Sequence, residues 1–333
     1  MKRVLVGVAR VLVVVATAGA LSLTLSPWPS LAVITSFLSY GDRKSDAALE
    51  KLVPDGIAAQ RDISYGKAKD EVLDIYYRDG APARPAVVWV HGGAFVAGTK
   101  NGVANYLKIL ANHGYTTIAV EYSKGPGTTY PTPVEQVNEA LGFVVRHAAE
   151  LNVDPATILL AGDSAGAHIA GQLALIITNP DYAHAIGIAP QLTAAQLGAT
   201  LLVSGVYDPV ELNLGGTYGW FNETVLTAYS GTRNFRNDER FKLTSITHYV
   251  TGAFPRTFIS SGNGDPLAPQ AVLLARRLAE AGVHVETLFF PANRLPRLAH
   301  EYQFNLEEPA GKESLRRICS FLDVASGVAS TFR

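Results

Sequence analysis

The chain has 333 residues, 48% of them hydrophobic and only 17% charged, against a typical charged share of roughly 25%. That is enough apolar content for a large core and too much for a disordered chain. The 28 Lys and Arg balance 29 Asp and Glu for a net charge of −1, so nothing marks a nucleic-acid binder. Cys319 is the one cysteine, which excludes an intrachain disulfide framework and a zinc–thiolate cluster.

In chain order, Lys2 and Arg3 precede an apolar run from Val4 to Leu25, interrupted by Arg10 and a few small polar residues. The run is long enough to cross a hydrocarbon layer of roughly 30 Å as a helix. It reads as a membrane anchor or a cleaved signal peptide; an interfacial hairpin and an ordinary buried helix are the alternatives. Ala18-Gly19-Ala20 falls inside the run, so the cleavage site is not clean. Ser26-Pro27-Trp28-Pro29-Ser30 breaks it, and a second apolar piece spans Leu31 to Leu38. With the positive charge on one side only, a single span leaves the body of the protein outside the cytoplasm. Residues 1–40 are therefore expected to attach the chain to a membrane or export it, and residues 41–333 to form one domain.

Lys44 to Lys51 is expected as a polar lead-in helix. Strands are expected at Val72–Arg78, Ala86–Val90, Thr116–Tyr122, Thr157–Ala161, Ala199–Ser204, Arg256–Ser261 and His284–Phe290. The first alternates as a half-exposed strand should. The later ones are nearly continuous apolar runs, as in parallel strands covered on both faces. Val134, Val137, Leu141, Val144 and Ala148 fall at helical spacing, as do Leu315, Ile318, Cys319 and Leu322. Cys319 thus reads as core packing. Strands alternating with helices give an α/β chain with a doubly wound, mostly parallel sheet. Residues 211–250, rich in Gly, Asn and aromatics, fit the alternation worst and read as an insertion or small cap over one end of the sheet.

Gly162-Asp163-Ser164-Ala165-Gly166 joins the strand Thr157–Ala161 to a helical run. A strand–turn–helix elbow this tight pushes the serine out at its apex and needs glycines where side chains would collide. A serine needs an oriented base. His300 lies after the last strand and just before the carboxy-terminal helix, at the sheet edge the elbow occupies. His168, one turn along from Ser164, is badly aimed, and His91 reads as structural. The acid that orients the base follows an intervening strand: Asp265, after Gly262-Asn263-Gly264, is preferred to Asp208, after Gly205-Val206-Tyr207. His91-Gly92-Gly93-Ala94-Phe95 follows Ala86–Val90, and adjacent glycines let N–H groups approach a developing oxyanion. Gly92, Gly93 and Ala165 are the expected donors.

Through these motifs the chain resembles an α/β-hydrolase, in the esterase/lipase branch of the hormone-sensitive-lipase type, over about Leu73 to Leu322. The resemblance implies Ser164 as nucleophile, Asp265 as acid and His300 as base. Ala94 stands where that type has a third glycine, Ser123 to Gly127 replaces its Arg-Leu-Ala-Pro-Glu stretch, and Glu301-Tyr302 follows the base in place of Gly-Phe. Phe95, Gly98-Thr99-Lys100 and Ser164 to His168 are similar instead to kynurenine-formamidase and feruloyl-esterase-like groups. The expected activity is hydrolysis of carboxylic esters of short-to-medium acyl chain, a small-molecule substrate, with no metal and no organic cofactor. An amidase or formamidase using the same residues is the second reading. A binding protein on a retired hydrolase scaffold is the third. No phosphate-binding loop, HExxH or dinucleotide fingerprint is present.

Overall fold

The computed structural model describes residues 28–327, together with Gly7, Arg10, Val13, Val14 and Thr17. Apart from those five positions, the Val4–Leu25 run expected as an anchor or signal lies outside the described residues. In chain order the elements are α1 (Trp28–Leu49), β1 (Ile57–Ser64), β2 (Val72–Arg78), β3 (Arg84–Val90), α2 (Ala104–Ala111), β4 (Thr116–Val120) and α3 (Thr132–Arg146). There follow β5 (Val153–Asp163), α4 (Ser164–Thr178), α5 (Pro180–Ile186), β6 (Leu197–Val203), α6 (Gly219–Ser230) and α7 (Glu239–Lys242). The last are β7 (Thr257–Ser261), α8 (Ala268–Glu280), β8 (Val285–Phe289) and α9 (Pro309–Ser326). The strands form one sheet in the order β1-β2-β4-β3-β5-β6-β7-β8. The first two pairings are antiparallel and the rest parallel. This is the α/β-hydrolase architecture.

The apolar runs of the central strands serve two cores. Val88 and Val90 of β3 face one cluster with Leu160 and residues of α3, α4 and α8. Val87 and Trp89 face the other, with α2 and with Ile318, Cys319, Phe321 and Leu322 of α9. A strand covered on both faces has no polar side to show, hence the missing alternation. Cys319 is buried in that second core, and burial pushes its thiol pKa up.

Three expectations need correction. Strand β2 is not half-exposed: Leu73, Asp74, Ile75 and Tyr76 are all fully buried. Its polar face is covered, because Asp74 pairs with the buried Lys100 at 2.6 Å and accepts from Tyr76 at 3.1 Å. Strand β1, which carries Gln60-Arg61-Asp62 at its centre, has no apolar pattern and was not expected; a bulge there puts Asp62 at φ 55°.

The third correction concerns the amino-terminal boundary. Residues 28–49 form a single helix, so a division at residue 40 would cut α1 in two. Pro29 sits in its first turn, where a missing N–H breaks no helical bond. Leu31 and Ile34 enter one core and Leu49 the other, so α1 crosses over the carboxyl ends of the strands. Asp46 fastens it to α2, accepting from Asn105 N and Nδ2 at 2.8 and 2.9 Å. Residues 211–250 lie between β6 and β7; α6 packs on α1, and Val225, Tyr229, Phe235 and Phe241 join the main core.

If α1 belongs to the domain, Ile34→Ala should cost about 2–5 kcal/mol of stability in urea unfolding. The outward Val33→Ala, by contrast, should change it by no more than about 0.5 kcal/mol. Equal, negligible effects would show a detachable helix.

Candidate active site

The elbow between β5 and α4 is built by close backbone approach. A Cβ on Gly166 would sit on the carbonyl oxygen of Val90, and one on Gly162 would collide with the backbone of Gly166. With both side chains missing, α4 begins directly against the end of β3. Ser164 is held there at φ 49°, a strained conformation for a residue with a side chain. Its hydroxyl faces His300, with Oγ 3.0 Å from Nε2.

On the other side of the ring, Nδ1 lies 3.0 Å from Asp265 Oδ2, although its alignment falls short of an ideal hydrogen bond. Asp265 is itself aimed by donors: the Leu267 N–H at 2.8 Å and the Ser261 hydroxyl at 3.0 Å. Burial would raise its pKa, but His300 and these donors outweigh it and hold the carboxyl below its ordinary range. Burial would likewise lower the His300 pKa. The carboxylates of Glu301 and Asp265, with Asp163 beyond, reverse that and raise it to about 9.

Asp208, the competing acid, is turned elsewhere. It accepts from the Ser245 hydroxyl and from Thr247 at 3.4 Å, and lies 3.8 Å from His248. His168 is fully buried, with Nδ1 on the Val206 carbonyl at 3.0 Å; burial lowers its pKa to about 4 and keeps it neutral. His91 stacks on Tyr122 with centroids 4.4 Å apart and contacts Glu121 at 3.3 Å. Its ring is engaged by these partners, and no hydrogen bond among the described residues joins it to Ser164 or His300.

The expected set of oxyanion donors changes at one position. The Gly92 N–H already donates to Asp163 Oδ2 at 2.8 Å, so it is not open to a substrate oxygen. The residues that follow turn the chain through three positive φ values: Gly93 113°, Ala94 54° and Phe95 64°. The Phe95 ring pins this turn by stacking on Tyr229 of α6, centroids 3.9 Å apart. No hydrogen bond among the described residues uses the N–H of Gly93 or Ala94. The Ala165 N–H, in the first turn of α4, has no intrahelical acceptor. The N–H groups of Gly93, Ala94 and Ala165 are thus left without an acceptor among the described residues.

A cavity of about 260 Å³ opens between α1 and this loop. Phe37, Leu38, Asp42 and Ser45 of α1 form one wall, and His300, Glu301 and Asp163 form another. Asp42 is raised to about 6, by burial first and then by Asp163. Sequence reading did not single out Asp42 or assign a task to Asp163. It noted Glu301 only as the unusual neighbour of the base, and that position was the one available signal. No cluster of three or more His, Cys, Asp or Glu among the described residues is arranged to hold a metal ion.

A nucleophile at hydrogen-bond distance from a base, an acid behind that base and free N–H donors beside them are what acyl transfer needs. A family model described as BD-FAE matches residues 73–278. The chain is 32% identical over 219 residues to "Esterase LipQ" of Mycobacterium tuberculosis, covering 64% of this chain and 51% of that protein. It thus spans about half the length of that curated relative. An acetyl esterase of Salmonella choleraesuis is 26% identical over 253 residues, covering 74% and 75% of the two chains. Among solved structures, inhibited esterase B from Lactobacillus rhamnosis superposes with a TM-score of 0.77 at 20% identity, covering 90% and 97%. At that identity the likeness speaks for the fold.

The elbow geometry makes a direct prediction. Gly166→Ala should drive α4 off the Val90 carbonyl and slow fluorophosphonate labelling of Ser164 at least about tenfold, since small misplacements cost that much. An unchanged labelling rate would show that close approach at Gly166 is not required.

Proposed function

The chain belongs to the BD-FAE family, and from that premise we propose that it is a serine hydrolase of carboxylic esters with short-to-medium acyl chains. Ser164 is the nucleophile, His300 the base and Asp265 the acid that orients it. His300 Nε2 takes the hydroxyl proton as Ser164 Oγ bonds to the ester carbonyl carbon. The bond from that carbon to the alcohol oxygen then breaks, and the imidazolium returns the proton to the departing alcohol. Water, deprotonated by the same nitrogen, attacks the acyl carbon. The bond from that carbon to Ser164 Oγ breaks, the acid leaves, and the imidazolium returns the proton to Oγ. Asp265 holds the tautomer that leaves Nε2 unprotonated and stabilises the imidazolium. The N–H groups of Gly93, Ala94 and Ala165 receive the oxyanion. One observation carries this reading: a serine on a strained elbow 3.0 Å from an imidazole whose other nitrogen meets a buried carboxylate.

With p-nitrophenyl esters of graded acyl length, Ser164→Ala should abolish turnover. Asp265→Asn should lower kcat by roughly 10⁴-fold, while Asp208→Asn leaves the chemical step almost unchanged. The reverse ranking in folded variants would move the acid to Asp208. Preferential cleavage of N-formyl or anilide substrates would favour the amidase reading.

We further propose that the Val4–Leu25 run attaches this domain to a membrane on the extracytoplasmic side. Two features support this. Lys2 and Arg3 precede the run, and α1, which follows it, presents Val33, Phe37 and Tyr40 to solvent. These residues share one helix face, and Trp220 of α6, the helix packed on α1, is exposed with Tyr218 just before it. Among the described residues no helix is long and apolar enough to cross a membrane, so the attachment rests on the run itself. Full-length protein should sediment with membranes and stay there at high salt, because apolar attachment is not screened. Release by salt, or recovery of a processed chain lacking the run, would contradict the anchor.

A further inference from the structure

Glu301 stands beside the base and takes no part in the triad. It follows His300 on left-handed backbone, φ 58°, with its N–H donating to Ser204 Oγ at 3.1 Å. That turn brings its carboxyl back toward the ring: Oε1 lies 3.6 Å from His300 Nε2. This is the nitrogen that faces Ser164 Oγ at 3.0 Å.

The same Glu301 carboxyl lies beside Asp163: a Cβ on Gly92 would be 3.0 Å from Glu301 Oε1 and would collide with Asp163 Oδ2. Asp163 in turn accepts from the Gly92 N–H at 2.8 Å and from Trp89 Nε1 at 2.6 Å. Two buried carboxyls side by side disfavour ionising together. Burial, and for Asp163 the repulsion of Glu301, keeps both above their ordinary range. The other titratable groups facing the pair are Asp42 from α1, His91 from the loop after β3, Asp265 from the loop after β7, and His300 itself. Of these groups His300 presents Nε2 to Glu301 at 3.6 Å, so Glu301 is the carboxyl on the ring's nucleophile-facing side and Asp265 the one behind it.

Building on the esterase reading, we propose that Glu301 is a positioning residue that competes with Ser164 for the Nε2 proton of His300, and so sets the pH range in which the ring acts as a base. A carboxylate beside Nε2 favours imidazolium, and an imidazolium cannot accept the serine proton. A neutral side chain of the same shape removes that attraction. The ring then loses its proton at lower pH, so the acid limb of activity moves to lower pH. Gln at this position can donate an N–H to Asp163, whereas Ala offers Asp163 no polar partner.

The test is the pH dependence of kcat/KM for full-length protein on a small soluble ester, with parent, Glu301→Gln and Glu301→Ala. Each profile is scaled to its own plateau, so the limb reads charge whatever the plateau height. Both variants should move the acid limb down by at least about 0.5 pH unit, raising scaled activity on the limb about threefold. The plateau kcat of Glu301→Gln should exceed that of Glu301→Ala. If turnover is too slow to measure, the pH dependence of fluorophosphonate labelling at Ser164 reads the same limb. A Gln profile superimposed on the parent's, or displaced to higher pH, overturns the proposal. A uniform loss at every pH also overturns it, because a merely structural role does that. Failure of the esterase reading looks different: Ser164→Ala would then remain active.

Discussion

Everything at the site depends on how closely the backbone of α4 lies against the end of β3. Gly166 has no Cβ because the Val90 carbonyl occupies that space, and Gly162 has none because the first turn of α4 does. A methyl group at either point would force the helix outward. Held this close, Ser164 is driven to φ 49° and its hydroxyl emerges beside the loop that follows β3. The parallel pairing of β3 with β5 brings that loop and the elbow side by side, and the sheet order puts β6, β7 and β8 progressively further out. Asp265, at the end of β7, and His300, beyond β8, then reach back to the serine from the far side.

Asp163 ties these parts into one unit. Its carboxyl accepts from the Gly92 N–H and from the indole of Trp89 in the second core, with the carboxyl of Glu301 alongside. The loop after β3, the core and the turn that carries His300 and Glu301 therefore meet at a polar group that is 3% exposed. Buried polar networks of this kind fix geometry at a high cost if one partner is lost. The outer boundary of the site is supplied by α1, which contributes Leu31 and Ile34 to the core and Asp42 to the cavity wall. A segment whose sequence suggested a tether is, from Trp28 onward, part of the wall around the chemistry.

Much of the fold was legible because its signals are local. The central strands announce themselves as apolar runs, and the elbow at Ser164 as a Gly-x-Ser-x-Gly turn between a strand and a helix. The misreadings arise where the deciding contact is distant in sequence. Strand β2 looked half-exposed because nothing near Asp74 reveals that Lys100 will neutralise it. The unity of α1 was hidden because Pro29 and the polar stretch from Asp42 look like boundaries, while the group that receives Asp46 lies on α2. Asp265 and Asp208 both follow a strand through a turn containing glycine. Only packing separates them, Asp208 being held by Ser245 and Thr247. Gly92 seemed a free donor until the fold set the Asp163 carboxylate against it.

The central claim is that Ser164 carries the acyl group during turnover. The most direct measurement is acid quenching during the pre-steady-state burst with a p-nitrophenyl ester, followed by peptide mass spectrometry. The account predicts an increment of one acyl group on the peptide containing Ser164, absent from Ser164→Ala. An increment on another residue, or hydrolysis with no covalent adduct under conditions where deacylation limits the rate, would contradict it.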